Sequence, residues 1–179
     1  MKKLLLAFFL LTCTLFGVEI AGKNIADKTN ELLLNGAGIR DKYFLDMYIG
    51  ALYLKTKQSD ATKIINENSE MSMKLHILSS LITSEKMESS TQEGFEKALN
   101  GDTTSLKKEI EEFISVFKEE IKIDDVYDLV YTPNVGVDIY KNTNYKKTIK
   151  GLEFKKVLFG IWLGKEPVQE SLKKRMLGL

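Results

Sequence analysis

Tyr43-Phe44-Leu45-Asp46-Met47-Tyr48-Ile49-Gly50-Ala51-Leu52-Tyr53-Leu54 is the stretch whose reading decides the fold. Aromatic and branched side chains dominate it, and these suit a pleated surface. So few polar residues interrupt it that both faces must be buried over part of its length. It predicts a long strand over 43–54 with a kink at Gly50, where no side chain packs. Just upstream, Glu31-Leu32-Leu33-Leu34 runs through Asn35-Gly36-Ala37-Gly38 into Ile39-Arg40-Asp41-Lys42. This is a second strand pattern, and glycines inside a strand signal a bulge or the close approach of another backbone.

Working outward, Val18-Glu19-Ile20-Ala21 alternates and stops at Gly22, an opening strand. Ser59 or Asp60 can cap a short helix through Asn66, and Met71 to Leu78 alternates again as a strand. A helix is expected from Ser84 to Leu99, closed by Asn100-Gly101. Leu106, Ile110, Phe113, Phe117 and Ile121 then recur at three- and four-residue steps with charges opposite them, which predicts one amphipathic helix lying on a sheet. Three strands follow at Tyr127–Thr132, Val135–Lys141 and Tyr145–Lys150, joined by turns at Pro133-Asn134 and Asn142-Thr143-Asn144 as a meander. The chain returns to helix with Phe154, Leu158, Ile161 and Trp162 on one side. A last helix, started by Pro167, carries Leu172 and Met176. The class this implies is α+β, an antiparallel sheet with helices packed on one face.

Met1-Lys2-Lys3 precedes the apolar run Leu4–Leu11, then Thr12, Cys13 and Thr14 before Gly17. A basic start, a short apolar core and a small residue mark a secretory signal over 1–17, with one domain over 18–179. The run is too short for a membrane span, which needs roughly 20 residues. The protein is therefore expected in the periplasm or secreted; an acyl anchor on Cys13 is the lesser alternative. The whole chain has 26 basic and 25 acidic residues, and removing Lys2 and Lys3 leaves 24 against 25, a formal charge of −1. That balance argues against a nucleic-acid partner, which calls for a strongly basic face.

Chemistry is sparse. Cys13 is the only cysteine and His76 the only histidine, so no metal site and no disulfide is expected within the domain, and His76 on its strand reads as structural. No serine sits in a nucleophile elbow. Gly36-Ala37-Gly38 lacks the following helix that a dinucleotide needs, and no cofactor is expected. Arg40 stands out, because lysine supplies 24 of the 26 basic residues and Arg175 is the only other arginine. A guanidinium is a planar fork of donors that fits a carboxylate or oxyanion and stays charged when partly buried. Two uses remain open at this point: an ion pair at the sheet edge, or a hold on a ligand. Tyr48 adds a phenol able to aim at the same pocket, though aromatic residues at strand spacing also serve as core.

Asn35-Gly36-Ala37-Gly38-Ile39-Arg40, Tyr48-Ile49-Gly50-Ala51-Leu52-Tyr53-Leu54 and Leu158-Phe159-Gly160-Ile161-Trp162-Leu163-Gly164-Lys165-Glu166-Pro167 resemble the bacterial chalcone isomerase-like proteins, and the likeness runs across nearly the whole chain after the signal. The resemblance implies the chalcone isomerase fold, an open-faced β-sandwich in which a large antiparallel sheet carries a layer of helices on one face. In the plant enzymes of that superfamily an arginine in the matching Gly-x-Gly-x-Arg position polarises the substrate during ring closure, and Arg40 matches it. The rest of the catalytic set departs. A threonine of the enzymes falls near Tyr48, and a late Ser/Thr pocket position falls near Val168-Gln169. Other branches bind fatty acids without catalysis, with an arginine and a tyrosine on the carboxylate, which Arg40 and Tyr48 are similar to. The resemblance thus implies a non-catalytic protein that binds a fatty acid or similar amphipathic carboxylate in a cleft between sheet and helices. The alternative it implies is an isomerase that uses Arg40 to stabilise an enolate.

Overall fold

The structure, a computed structural model, describes residues 17–179. Residues 1–16, and with them Cys13 and nearly all of the expected signal, lie outside the described residues. Among the described residues the chain opens on a separate hairpin, β1 (Gly17–Ile20) with β2 (Lys23–Ala26). Seven strands then form one antiparallel sheet in chain order: β3 (Lys28–Thr29), β4 (Leu32–Lys42), β5 (Leu45–Leu54), β6 (Met71–Ile77), β7 (Val126–Thr132), β8 (Gly136–Lys141) and β9 (Asn144–Ile149). The helices are α1 (Ala61–Asn66), α2 (Ser84–Ala98), α3 (Lys107–Ile114), α4 (Leu152–Leu163) and α5 (Glu170–Met176). None of them is long and apolar enough to cross a membrane.

Period-two alternation gives the sheet two different faces. On one, Leu52, Met73, Leu75, Tyr127, Leu129, Val137 and Ile139 point at the helices and are buried with Phe95, Phe113, Phe154 and Leu158. Rings interlock there: Phe113 meets Phe95 edge-on at 5.8 Å between centroids and Phe117 at 5.4 Å, and Phe117 meets Tyr127 of β7 at 5.1 Å. Each such side chain contributes about 1.5–3 kcal/mol when fully withdrawn from water. On the opposite face Ile49, Ala51 and Tyr53 form a smaller core with Leu32, Leu34 and Ile25. The helix layer thus lies on one face, as expected, and apolar packing that includes Ile25 of the N-terminal hairpin covers part of the other.

Several elements depart from the sequence reading. Strand β5 starts at Leu45, because Lys42 pairs with Leu45 and leaves Tyr43 and Phe44 as a two-residue turn, at φ +52° and +65°. Such turns need φ > 0 at both positions and usually announce themselves as Asn-Gly, so two aromatic residues gave no warning. The strand has no register shift at Gly50; the irregularities lie in β4, between Leu34 and Gly36 and between Arg40 and Asp41. The expected single helix over 106–121 is α3 flanked by 3-10 turns at Thr104–Leu106 and Ser115–Lys118. Ser115 Oγ donates to the Glu112 carbonyl at 2.7 Å, an alternative partner that loosens the α-helical ladder. The apolar stripe survives: Ile110, Phe113 and Phe117 are buried, and Val116, three residues after Phe113, joins them at the 3-10 period. Ile121 still reaches the core, but from beyond the turns. Finally, α5 begins at Glu170 with Gln169 before it, so Pro167 precedes the helix instead of starting it.

Candidate functional site

The two strands that carry Arg40 and Tyr48 are positioned by the glycine-rich segment between Leu34 and Arg40. Asn35 sits at the first β4 irregularity, buried, with every side-chain polar atom used. Its amide nitrogen donates to the Gln58 and Met176 carbonyls at 2.9 and 2.8 Å, and its oxygen accepts from the Gln58 backbone N–H at 2.8 Å. Gly36 and Gly38 follow, and α5 lies directly on them. A Cβ at Gly36 would stand 2.1 Å from the Arg175 carbonyl oxygen, and one at Gly38 2.7 Å from the Arg175 side chain. The expected close approach of backbone is therefore the docking of the C-terminal helix.

Two residues further along the same face comes Arg40, directly across from Tyr48 in the β4–β5 register. The structure brings the pair together on the helix side of the sheet. Both line a cleft of about 390 Å³ between the sheet, α2 and α4. Its walls are largely apolar, with Met47, Leu75, Ile82, Met87 and Ile161 among them; Lys42, Lys86, the carboxylate-bearing Glu93 and the hydroxyls of Ser89, Ser90 and Thr91 add polarity. The volume falls within the range of small-molecule sites, about 300–1,000 Å³. Helices α2 and α4 close tightly at Gly94, where a Cβ would meet Ile161 at 3.0 Å, while residues nearer the start of α2 line the cleft.

Tyr48 is 8% exposed, and its oxygen accepts a hydrogen bond from Trp162 Nε1 at 2.9 Å. Burial pushes the phenol up from the ordinary tyrosine range, against the weaker opposing pulls of the Trp162 hydrogen bond and the Arg40 charge. The group is therefore a neutral phenol at physiological pH. Among the described residues no acceptor takes its proton, so Tyr48 keeps a donor for a ligand. Arg40 Nη1 donates to the Asp41 carbonyl and to Gln169 Oε1 at 3.3 Å. Gln169 in turn accepts from the Asp41 backbone N–H at 3.1 Å and donates to Asp41 Oδ1 at 2.6 Å. Among the described residues no ion pair involves Arg40, whose guanidinium is held by the Asp41 carbonyl and Gln169 and not by the edge ion pair that the sequence left open. A charged fork and a neutral O–H, on cross-strand partners in the wall of a largely apolar cleft, suit an oxyanion joined to an oily tail.

Sequence reasoning missed two contributors. Trp162 read as a core face of α4, yet its indole N–H demanded a partner once buried, and that requirement was its only signal. Gln169 fell where the family places a pocket hydroxyl; it holds the Arg40 guanidinium across 129 positions, a contact no local pattern encodes. His76 contributes nothing to the cleft: its Nε2 lies 3.1 Å from Asp124 Oδ1, within a cluster where Asp124 also meets Lys23. No group of three or more metal-ligating side chains occurs among the described residues.

A family model described as chalcone isomerase-like matches residues 13–178. Among solved structures, the crystal structure of an Arabidopsis thaliana fatty-acid binding protein superposes with a TM-score of 0.70 at 17% identity, over 87% of this chain and 92% of that one. At that identity the likeness is one of fold. No curated protein matches this chain.

Proposed function

The chain belongs to the chalcone isomerase-like family, and from that premise and the cleft we propose that it binds a fatty acid or a similar amphipathic carboxylate without turning it over. The observation that carries the reading is the Arg40 guanidinium, unpaired by any carboxylate and set across from the neutral Tyr48 phenol in an apolar cleft. Arg40 takes the head group, Tyr48 donates a hydrogen bond to it, and Leu75, Ile82, Met87 and Ile161 take the tail. The similar fold of a plant fatty-acid binding protein supports this choice of ligand class. The signal-like start over 1–17 supports the further part of this reading, that the protein is exported and cleaved near Gly17.

Native mass spectrometry of protein purified from its own host reads both statements at once. The expected spectrum shows a chain beginning near Val18 with a lipid-sized adduct, and Arg40→Ala lowers the adduct's affinity about tenfold or more, the worth of a charge-assisted contact of roughly 1.5–3 kcal/mol. An adduct-free chain whose melting temperature ignores added fatty acids contradicts the binding reading. The isomerase alternative is settled in the same preparation: decay of chalcone absorbance above the buffer rate, lost in Arg40→Ala, would replace binding with turnover.

A further inference from the structure

We propose that the β4–β5 hairpin tip is a membrane-docking element that seats the cleft mouth on a phospholipid bilayer; the proposal rests on the lipid-binding reading above and extends it to how the ligand enters. Tyr43 and Phe44 form the whole of a two-residue turn, and both hold φ > 0. That conformation is natural to Asn and Gly and costly for bulky side chains. Neither ring recovers the cost by packing inside the protein: Tyr43 is 82% exposed and Phe44 fully exposed. Two aromatic side chains that strain the backbone and touch little of the protein are explained when something outside it receives them.

Their position names the receiver. Tyr43 lines the cleft, as do Leu45, Leu81 and Val168, and all four stand exposed around it. The tip is thus continuous with the apolar interior. Lys42 holds its ammonium 5.6 Å from the Tyr43 ring centre, an amphipathic pair suited to the headgroup level. Against Arg40, Lys42 and Lys86 stand Asp41, tied to Gln169, and Asp46 on the hairpin and Glu93 on α2. Charge at the tip is close to balanced, so apolar insertion carries the docking and a zwitterionic bilayer suffices.

Flotation of the purified protein with phosphatidylcholine vesicles tests this. The wild type is expected to float, with little loss when salt is raised. Phe44→Gly removes the exposed ring and places the residue most at ease with φ +65° at that position, so it folds at least as well and should lose vesicle binding severalfold. Tyr43→Asn with Phe44→Gly should lose it tenfold or more. Phe44 does not line the cleft, so Phe44→Gly should bind monomeric fatty acid as the wild type does, read by the emission of the single tryptophan, Trp162. A wild type that stays in solution while Trp162 still reports fatty acid overturns the docking proposal alone, and so do variants that float as well as the parent. Absence of any Trp162 response removes the lipid-binding reading beneath it. A wild type that sediments as a dimer while Phe44→Gly sediments as a monomer assigns the tip to a second copy of the chain and overturns the bilayer as its partner.

Discussion

Tyr48 accepts from Trp162 with its oxygen and keeps its own proton, so one phenol fixes the cleft wall and leaves a donor unused, which the proposed binding gives to the ligand. The two roles separate in Tyr48→Phe. Without ligand, the buried indole N–H loses its acceptor, at about 1 kcal/mol or somewhat more, and the melting temperature should fall by roughly 2–4 °C. With ligand, a lost hydrogen bond of about 0.5–1.5 kcal/mol should weaken fatty-acid affinity by about two- to tenfold in calorimetry. A lower melting temperature with unchanged affinity would confine Tyr48 to holding Trp162. At this scale the sequence was informative where a residue type was out of place. Arg40 in a lysine-dominated chain drew notice, and the structure puts it at the cleft. Gln169 is an ordinary residue whose importance arises only when α5 folds back onto β4, so no spacing rule reveals it.

Among the elements, the seating of α5 on β4 and β5 governs whether Gln169 reaches Arg40 at all. Three glycines make the seat, at graded distances from the helix. A Cβ at Gly36 meets backbone carbonyl oxygen, one at Gly38 meets the Arg175 side chain, and one at Gly50 meets Met176 Sδ at 3.3 Å. Backbone cannot swing aside as a thioether can. Gly36→Ala should therefore cost about 3 kcal/mol, the upper part of the usual overpacking range, and lower the melting temperature by on the order of 6–12 °C. Gly50→Ala should change it little, and equal effects at the two positions would refute this account of the seat. The glycines pointed to a close approach without identifying the helix that makes it. Strands β4 and β6 to β9 and helix α2 were legible because their periods are clean and their ends carry stop signals, and Asn100 and Gly101 both take φ > 0 after α2; the short β2 and β3 carry no such period, and the start of β5 was hidden by its aromatic turn. The break in the 106–121 helix was hidden because its apolar stripe reads the same through a 3-10 turn.

Over the whole molecule, alternation along the strands and the apolar sides of the helices imply a large antiparallel sheet with helices on one face, while the β1–β2 hairpin forms a small sheet of its own. The seven strands lie in chain order, the simplest arrangement for such a pattern. What alternation does not encode is empty space. Whether Leu75, Ile82 and Met87 close on neighbouring side chains or border a cleft of about 390 Å³ depends on how α2, α4 and the sheet are assembled, a property of the packed layers. Trp162 stands in the wall of that cleft as the chain's single tryptophan. Its emission, titrated with a long-chain fatty acid and with the primary alcohol of the same length, in the parent protein and in Arg40→Ala, reads the charged end of the ligand directly. The account predicts that the acid binds about tenfold or more tighter than the alcohol and that Arg40→Ala abolishes the difference. Equal affinities for acid and alcohol in the parent protein would contradict it.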